Sequence, residues 1–160
     1  MAVDMFAKFD GIESESVDNS HKGEIDVLSW SWGVSQSGTA HLGGGAGAGK
    51  ASVQDLSMTK YVCKASPELI KRTCNGKHIP TVVLTVRKAG EKPLEYLVIT
   101  LTDVLITSVS TGGSGGEDRL VENVTLNFAK VKVEYTEQAK DGSKGKTVSS
   151  EYNIAENVTA

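Results

Sequence analysis

Residues 24–37 read EIDVLSWSWGVSQS, and from Leu28 onward the stretch alternates. Leu28, Trp30, Trp32 and Val34 fall on one side, while Val27, Ser29, Ser31, Gly33, Ser35 and Ser37 fall on the other. Side chains alternate across a strand, so the pattern predicts a half-buried β-strand. Two tryptophans on one face form a large apolar stripe, worth roughly 25 cal/mol per Å² when buried. Period-two aromatics in a strand are packing residues, which leaves the small, hydroxylated opposite face as the functional question.

The flanking sequence continues the β pattern. Val3, Met5, Ala7 and Phe9 alternate with Asp4, Phe6 and Lys8 as a first strand, and the polar stretch 11–23 is a surface connection. After the central strand, residues 43–49 contain only glycine and alanine. Glycine loses more backbone entropy on ordering than any other residue, so this is a loop mobile alone or held from outside its own domain. Gly44, Gly49 and Lys50 mimic a phosphate-binding loop, but Ala51 stands where that motif needs Ser or Thr. The following segment, 53–62, is β-rich, so no helix N-terminus would back a phosphate. Residues 55–62 read as a strand. Ser66-Pro67-Glu68 then supplies an N-cap, a first-turn proline and an acidic residue, and Asn75-Gly76 closes a short covering helix with Leu69, Ile70 and Thr73 inward.

Val82, Leu84 and Val86 give the next strand one apolar face. In the long strand 94–110, the centre LVITL is apolar on both faces, which predicts that one face meets the core and the other meets something else. STGGSGG at 110–116 is a second glycine-rich hinge. In the strand 117–135, Val124, Leu126 and Phe128 occupy even positions but Val131, Val133 and Tyr135 odd ones. The change of phase near Ala129-Lys130 predicts a bulge or corner. Val148, Ser150, Tyr152 and Ile154 form a last strand. About seven strands and one helix predict a mainly β fold: a closed or nearly closed barrel of two antiparallel sheets with one short flanking α-helix, a single domain over 1–160.

Composition narrows the function. A chain of 160 residues with net charge −3 lacks the basic balance of a nucleic-acid binder. Cys63 and Cys74 are too few for a disulfide framework and fit a reduced folding compartment. No apolar run approaches the ~20 residues of a membrane helix. The N-terminus MAVDMFAKFDG has neither a basic n-region nor an apolar h-region, so export would need a route without a cleaved signal. His21, His41 and His78 have no metal-ligand spacing, and no serine sits in a nucleophile elbow. The expectation is no catalytic residue, no metal, no cofactor and no small-molecule substrate.

Several long stretches together resemble the Hcp family, the tube protein of bacterial type VI secretion systems. They are MAVDMFAKF, GEIDVLSWSWGVSQSG, GGGAGAGK followed by VQDLSMTKY, GKHIP, LTVRKAG, EYLVITL and SVSTGGSGGEDRLVENVTLNFAKV. They run in family order and cover nearly the whole chain; the region after Tyr135 is the least distinctive. The resemblance implies a hexameric ring, rings stacked into a tube, ejection by a contractile sheath, and a lumen that carries effector proteins. It implies partners in further copies of the chain, the sheath, the spike and effectors. It also implies synthesis in the cytoplasm and secretion without a cleaved signal peptide, and no C-terminal effector extension, which some relatives carry. On this basis Ser29, Ser31, Ser35 and Ser114 are lumen candidates. Leu42, Gly43, Gly44, Gly45, Gly47, Gly49 and Lys50 are candidates for ring stacking, and Leu97, Ile99 and Leu101 for the lateral interface. A stand-alone β-sandwich binding module, such as a sugar binder, is the alternative, and it requires exposed tryptophans.

Overall fold

The computed structural model describes residues 3–38 and 51–159. Its second strand, β2 (Ile25–Ser31), pairs with β5 (Leu56–Tyr61), and the register slips between Val27 and Ser29. Leu28 is the extra residue of a bulge, and a bulge reverses which face the following residues take. Ile25 and Val27 are buried, Leu28 is 40% exposed, and Trp30 then turns back onto the core. Leu28 therefore leaves the tryptophan face and Val27 leaves the serine face, a correction to simple alternation. β2 stops at Ser31. After Trp32 and Gly33, β3 (Val34–Ser35) pairs with β4 (Ser52–Val53) in a separate two-stranded sheet.

The main sheet closes on itself. β1 (Val3–Phe9) lies between β2 and β6 (Ile79–Lys88), β6 pairs with β7 (Leu94–Gly112), and β5 pairs with β8 (Val121–Gln138). Pairing of β7 with β8 completes the cycle β8-β5-β2-β1-β6-β7. Every pairing is antiparallel, but only some join strands close in sequence: β1 with β6 and β5 with β8 are long-range. β8 is too long for one neighbour: its first half pairs with β5 through Leu126 and its second half with β9 (Lys144–Asn153) from Lys130 onward. β9 and the short β10 (Val158–Thr159) thus overhang the barrel. The described residues hold ten strands, more than the seven expected, because β3, β4 and β10 are two-residue strands without a readable period.

Phase changes shape the barrel. In β8, Val124, Leu126 and Phe128 are buried and then Val131, as the sequence indicates. β7 makes the same step opposite it: Ile99 and Leu101 point inward, then Val104 and Ile106. Asp103, between them, has φ 54°, a left-handed conformation that turns the strand. Ile99 and Leu101 are 2% and 0% exposed within the protomer's own core, and Leu97 packs against that core. They leave no surface for a neighbouring copy, so Ile99 and Leu101 are core residues rather than lateral contacts. The apolar look of LVITL arises because the core-facing residues sit among half-buried Val98 and Thr100.

α1 (Ser66–Asn75) closes on Gly76 in the left-handed region, φ 66°. Ser66 is its first residue and makes no cap bond; Ala65 precedes it. Its hydroxyl is used elsewhere, donating to Glu122 Oε2 at 2.8 Å. Leu69 enters the core, whereas Ile70 is 44% exposed, a second correction. The outer side of β1 and β6 is covered by the connection 12–24. There Arg87 donates to Asp18 Oδ1 and Oδ2 at 3.0 and 2.6 Å and to Asp4 at 3.1 Å. His21 stacks on Phe6 and lies 2.8 Å from Glu24 and 2.6 Å from Glu95.

Candidate functional site: a hydroxyl and amide face on the barrel wall

The outward side chains of β2, β5, β8 and β7 line up in two cross-strand rows. Ser29 is opposite Thr59, Thr59 opposite Asn123, and Asn123 opposite Ser110. One step along, Ser31 is opposite Ser57, Ser57 opposite Thr125, and Thr125 opposite Ser108. None of the eight is apolar or charged. Alternation produces the rows: Leu56, Met58, Val124 and Leu126 fill the core between the same residues.

Hydrogen bonds tie the rows together. Thr59 Oγ1 donates to Asn123 Oδ1 at 2.7 Å. Thr125 Oγ1 lies 2.6 Å from Ser108 Oγ and 2.8 Å from Thr107 Oγ1. At the border, Asp55 accepts from Thr107 Oγ1 and from Asn127 Nδ2, both at 2.9 Å. On the inward side of the same strands, the cross-strand pair Lys60–Glu122 is fully buried and ion-paired. Lys60 Nζ also donates to Ser66 Oγ at 3.1 Å and to the Tyr61 carbonyl at 3.2 Å. This node joins β5, β8 and α1 and fixes the register that aligns the rows. Alternation puts Lys60 on the face of Leu56 and Met58, and Glu122 on that of Val124 and Leu126, but only the tertiary pairing of β5 with β8 joins the two charges.

Ser29 and Ser31 are therefore exposed members of one continuous face. Ser35 is exposed in β3, in the small sheet, and Ser114 is exposed between β7 and β8. Ser114 reaches the same region: a hollow of about 460 Å³ is lined by Ser110, Thr111, Ser114 and Asn123 among others. Ser57, Thr59, Asn123, Thr125, Ser108 and Ser110 were missed, although the alternation of LSMTKY, ENVTLNF and ITSVSTG carries them. The stacking candidates 42–50 lie outside the described residues. Among the described residues no cluster of His, Cys, Asp and Glu could hold a metal. Hydroxyls and amides without a base or nucleophile can donate and accept hydrogen bonds to a surface laid against them.

The sequence matches the family described as "Type VI secretion system effector, Hcp" over residues 6–135. The chain belongs to the Hcp family. It is 60% identical over 162 residues to protein hcp1 of Pseudomonas aeruginosa, covering all of both chains. The crystal structure of Hcp1 from Salmonella typhimurium is 44% identical over the full length of both chains, with a TM-score of 0.84. A structure described as that of a type six secretion system protein is 28% identical, covers 99% of this chain and 100% of its own, and has a TM-score of 0.94. Hcp is a structural tube component of type VI secretion, not an enzyme, and it assembles as hexameric rings. Trp30 and Trp32 pack against the core, and nothing in the comparisons supports a stand-alone binding module.

Proposed function

We propose that this Hcp chain turns its hydroxyl and amide face toward the lumen of the ring and that this face is where effector proteins ride. The two cross-strand rows from Ser29 to Ser110 and from Ser31 to Ser108 carry the reading. A wall that must hold a folded cargo and then release it benefits from many weak, water-exchangeable hydrogen bonds and from the lack of an apolar patch. Sheath and spike are the partners at the outside and end of the tube. The protein is made in the cytoplasm and leaves through the apparatus. The segment 42–50 keeps its assignment to contacts between stacked rings on sequence grounds.

Ser31→Gln and Ser114→Gln test the face. Each is expected to leave the six-fold native mass unchanged and to lower the amount of effector recovered with the ring. Loss of the ring in either variant would place that serine in a subunit contact and overturn its assignment to the lumen.

A further inference from the structure

A closed ring needs heterologous contacts: two unlike side surfaces on every copy, one meeting the other across each joint. Two exposed patches have the required unlike character. The first lies over β1 and the connection 12–24, a hollow of about 340 Å³ that brings together Val3, Val17, Asp4, Asp18 and Asp26. Val17 is 93% exposed, yet it is held firmly between Ser16, bonded through its backbone to Gly23 and Glu24, and Asp18, clamped by Arg87. A rigid apolar knob in water contributes nothing to the protomer that carries it. Asp4, Asp18 and Asp26 face two guanidinium groups, Arg87 on the first two and Arg119 near the third, so the patch keeps a net negative charge. Burial pushes the Asp26 carboxyl above the usual range, against a hydrogen bond from Ser16 and the nearby Arg119.

The second patch is the overhanging end of β8 and β9. Tyr135 and Val148 are cross-strand partners at 47% and 52% exposed, on the face that continues the core row from Leu97. The hairpin beyond them carries Lys140, Lys144 and Lys146, none of which makes an ion pair among the described residues. Against these three lysines stand two carboxylates, Asp141, which accepts from the Ser143 backbone and hydroxyl, and Glu137, which accepts from the Lys146 backbone, so the hairpin keeps one positive charge in excess. In the six-strand cycle β1 lies three strands from β8 counted either way, so the two patches flank the barrel with the hydroxyl face between them.

We infer that the joint between neighbouring copies is the acidic Val17 knob of one protomer seated against the lysine-flanked Tyr135–Val148 overhang of the next. Like would repel like across this joint, so a subunit cannot pair knob to knob or overhang to overhang, which enforces head-to-tail closure. The inference rests on the ring assembly of the family and is independent of which residues touch cargo.

The test is a pair of charge-reversed variants of the full chain. One carries Val17→Arg with Asp26→Lys, so that both its flanks are basic. The other carries Lys144→Glu with Lys146→Glu, so that both are acidic. Each alone is expected to run as a monomer by light scattering at a concentration where wild type shows six times the chain mass, and an equimolar mixture is expected to restore the six-fold mass by alternation. Circular dichroism confirms that each variant is folded. Should one fail to fold, Val17→Ser, at a position the protomer's folding does not use, is expected to raise the concentration for ring assembly by about tenfold, equivalent to ~1.4 kcal/mol. Six-fold masses for both reversed variants, folded monomers that stay monomeric when mixed, or an unchanged Val17→Ser ring would overturn the joint. Rings that form normally but no longer stack would overturn it too, since the patches would then lie between rings. A wild-type chain that is not six-fold would instead indict the tube reading itself.

Discussion

Lys60 and Glu122 are the residues on which alignment of the candidate lumen face depends. Both are fully buried, and Ser66 bonds to each. Removing one partner strands the other's charge, so Glu122→Gln or Lys60→Met alone is expected to cost about 3–5 kcal/mol in urea unfolding. The double change Lys60→Met with Glu122→Leu is expected to recover most of that loss, since desolvation offsets much of what a buried pair gains. Arg87 and Asp18 give a pH signature at the other side of the barrel. Hydrogen bonds from the Arg87 guanidinium hold the Asp18 carboxyl at about 2. A carboxyl depressed on folding stabilises the native state above its unfolded value, about 3.9, and loses that contribution as pH falls from there toward the native value. Melting curves of Asp18→Asn are therefore expected to show a shallower decline below roughly pH 4 than wild type and a lower melting temperature at neutral pH. An unchanged acid limb would mean that Asp18 is not held by Arg87 in solution.

The bulge in β2 shows where a sequence reading reaches its end. The stretch 24–37 declares a strand with a tryptophan face and a hydroxyl face, and both exist. The extra residue at Leu28 was not legible, because Val27 and Leu28 are both aliphatic and either suits the core. What selects Val27 is its partner Lys60 on β5, a long-range pairing with no local trace. A substitution pair decides the matter: Val27→Ala is expected to cost about 2 kcal/mol, whereas Leu28→Ala is expected to cost under about 1 kcal/mol, measured by chemical unfolding. Straight alternation predicts the opposite order. The same contrast holds in the long strands. The phase change of β8 was visible because polar residues mark its outer face, and the matching step in β7 was hidden because Leu97–Leu101 carries a single polar residue, Thr100. Its cause, the left-handed Asp103, is a backbone property that no residue pattern announces. Ser66 failed as a cap for a related reason: the buried carboxylate of Glu122, brought close only by tertiary structure, takes its hydroxyl.

For the whole molecule, closure of the barrel separates what folds a protomer from what joins protomers. The interior runs through every strand of the cycle, from Ala7 and Ile25 to Leu101 and Leu126, and owes nothing to a second copy. Ring assembly selects native protomers, so it raises the melting temperature by an amount that grows with subunit concentration. Two substitutions then behave differently on dilution. Ile99→Ala removes buried volume from the protomer's own core and is expected to cost about 2–5 kcal/mol, or roughly 10 °C, at every concentration. Val17→Ser removes only a contact with a neighbour, so its effect is expected to be greatest in concentrated samples and to vanish where wild type is monomeric. Scanning calorimetry over a hundredfold range of concentration reads both. An Ile99→Ala deficit that disappears on dilution would return that residue to the lateral interface where its apolar neighbourhood first suggested it. A Val17→Ser deficit that persists in the monomer would show that the exposed knob serves the connection 12–24 instead of the ring.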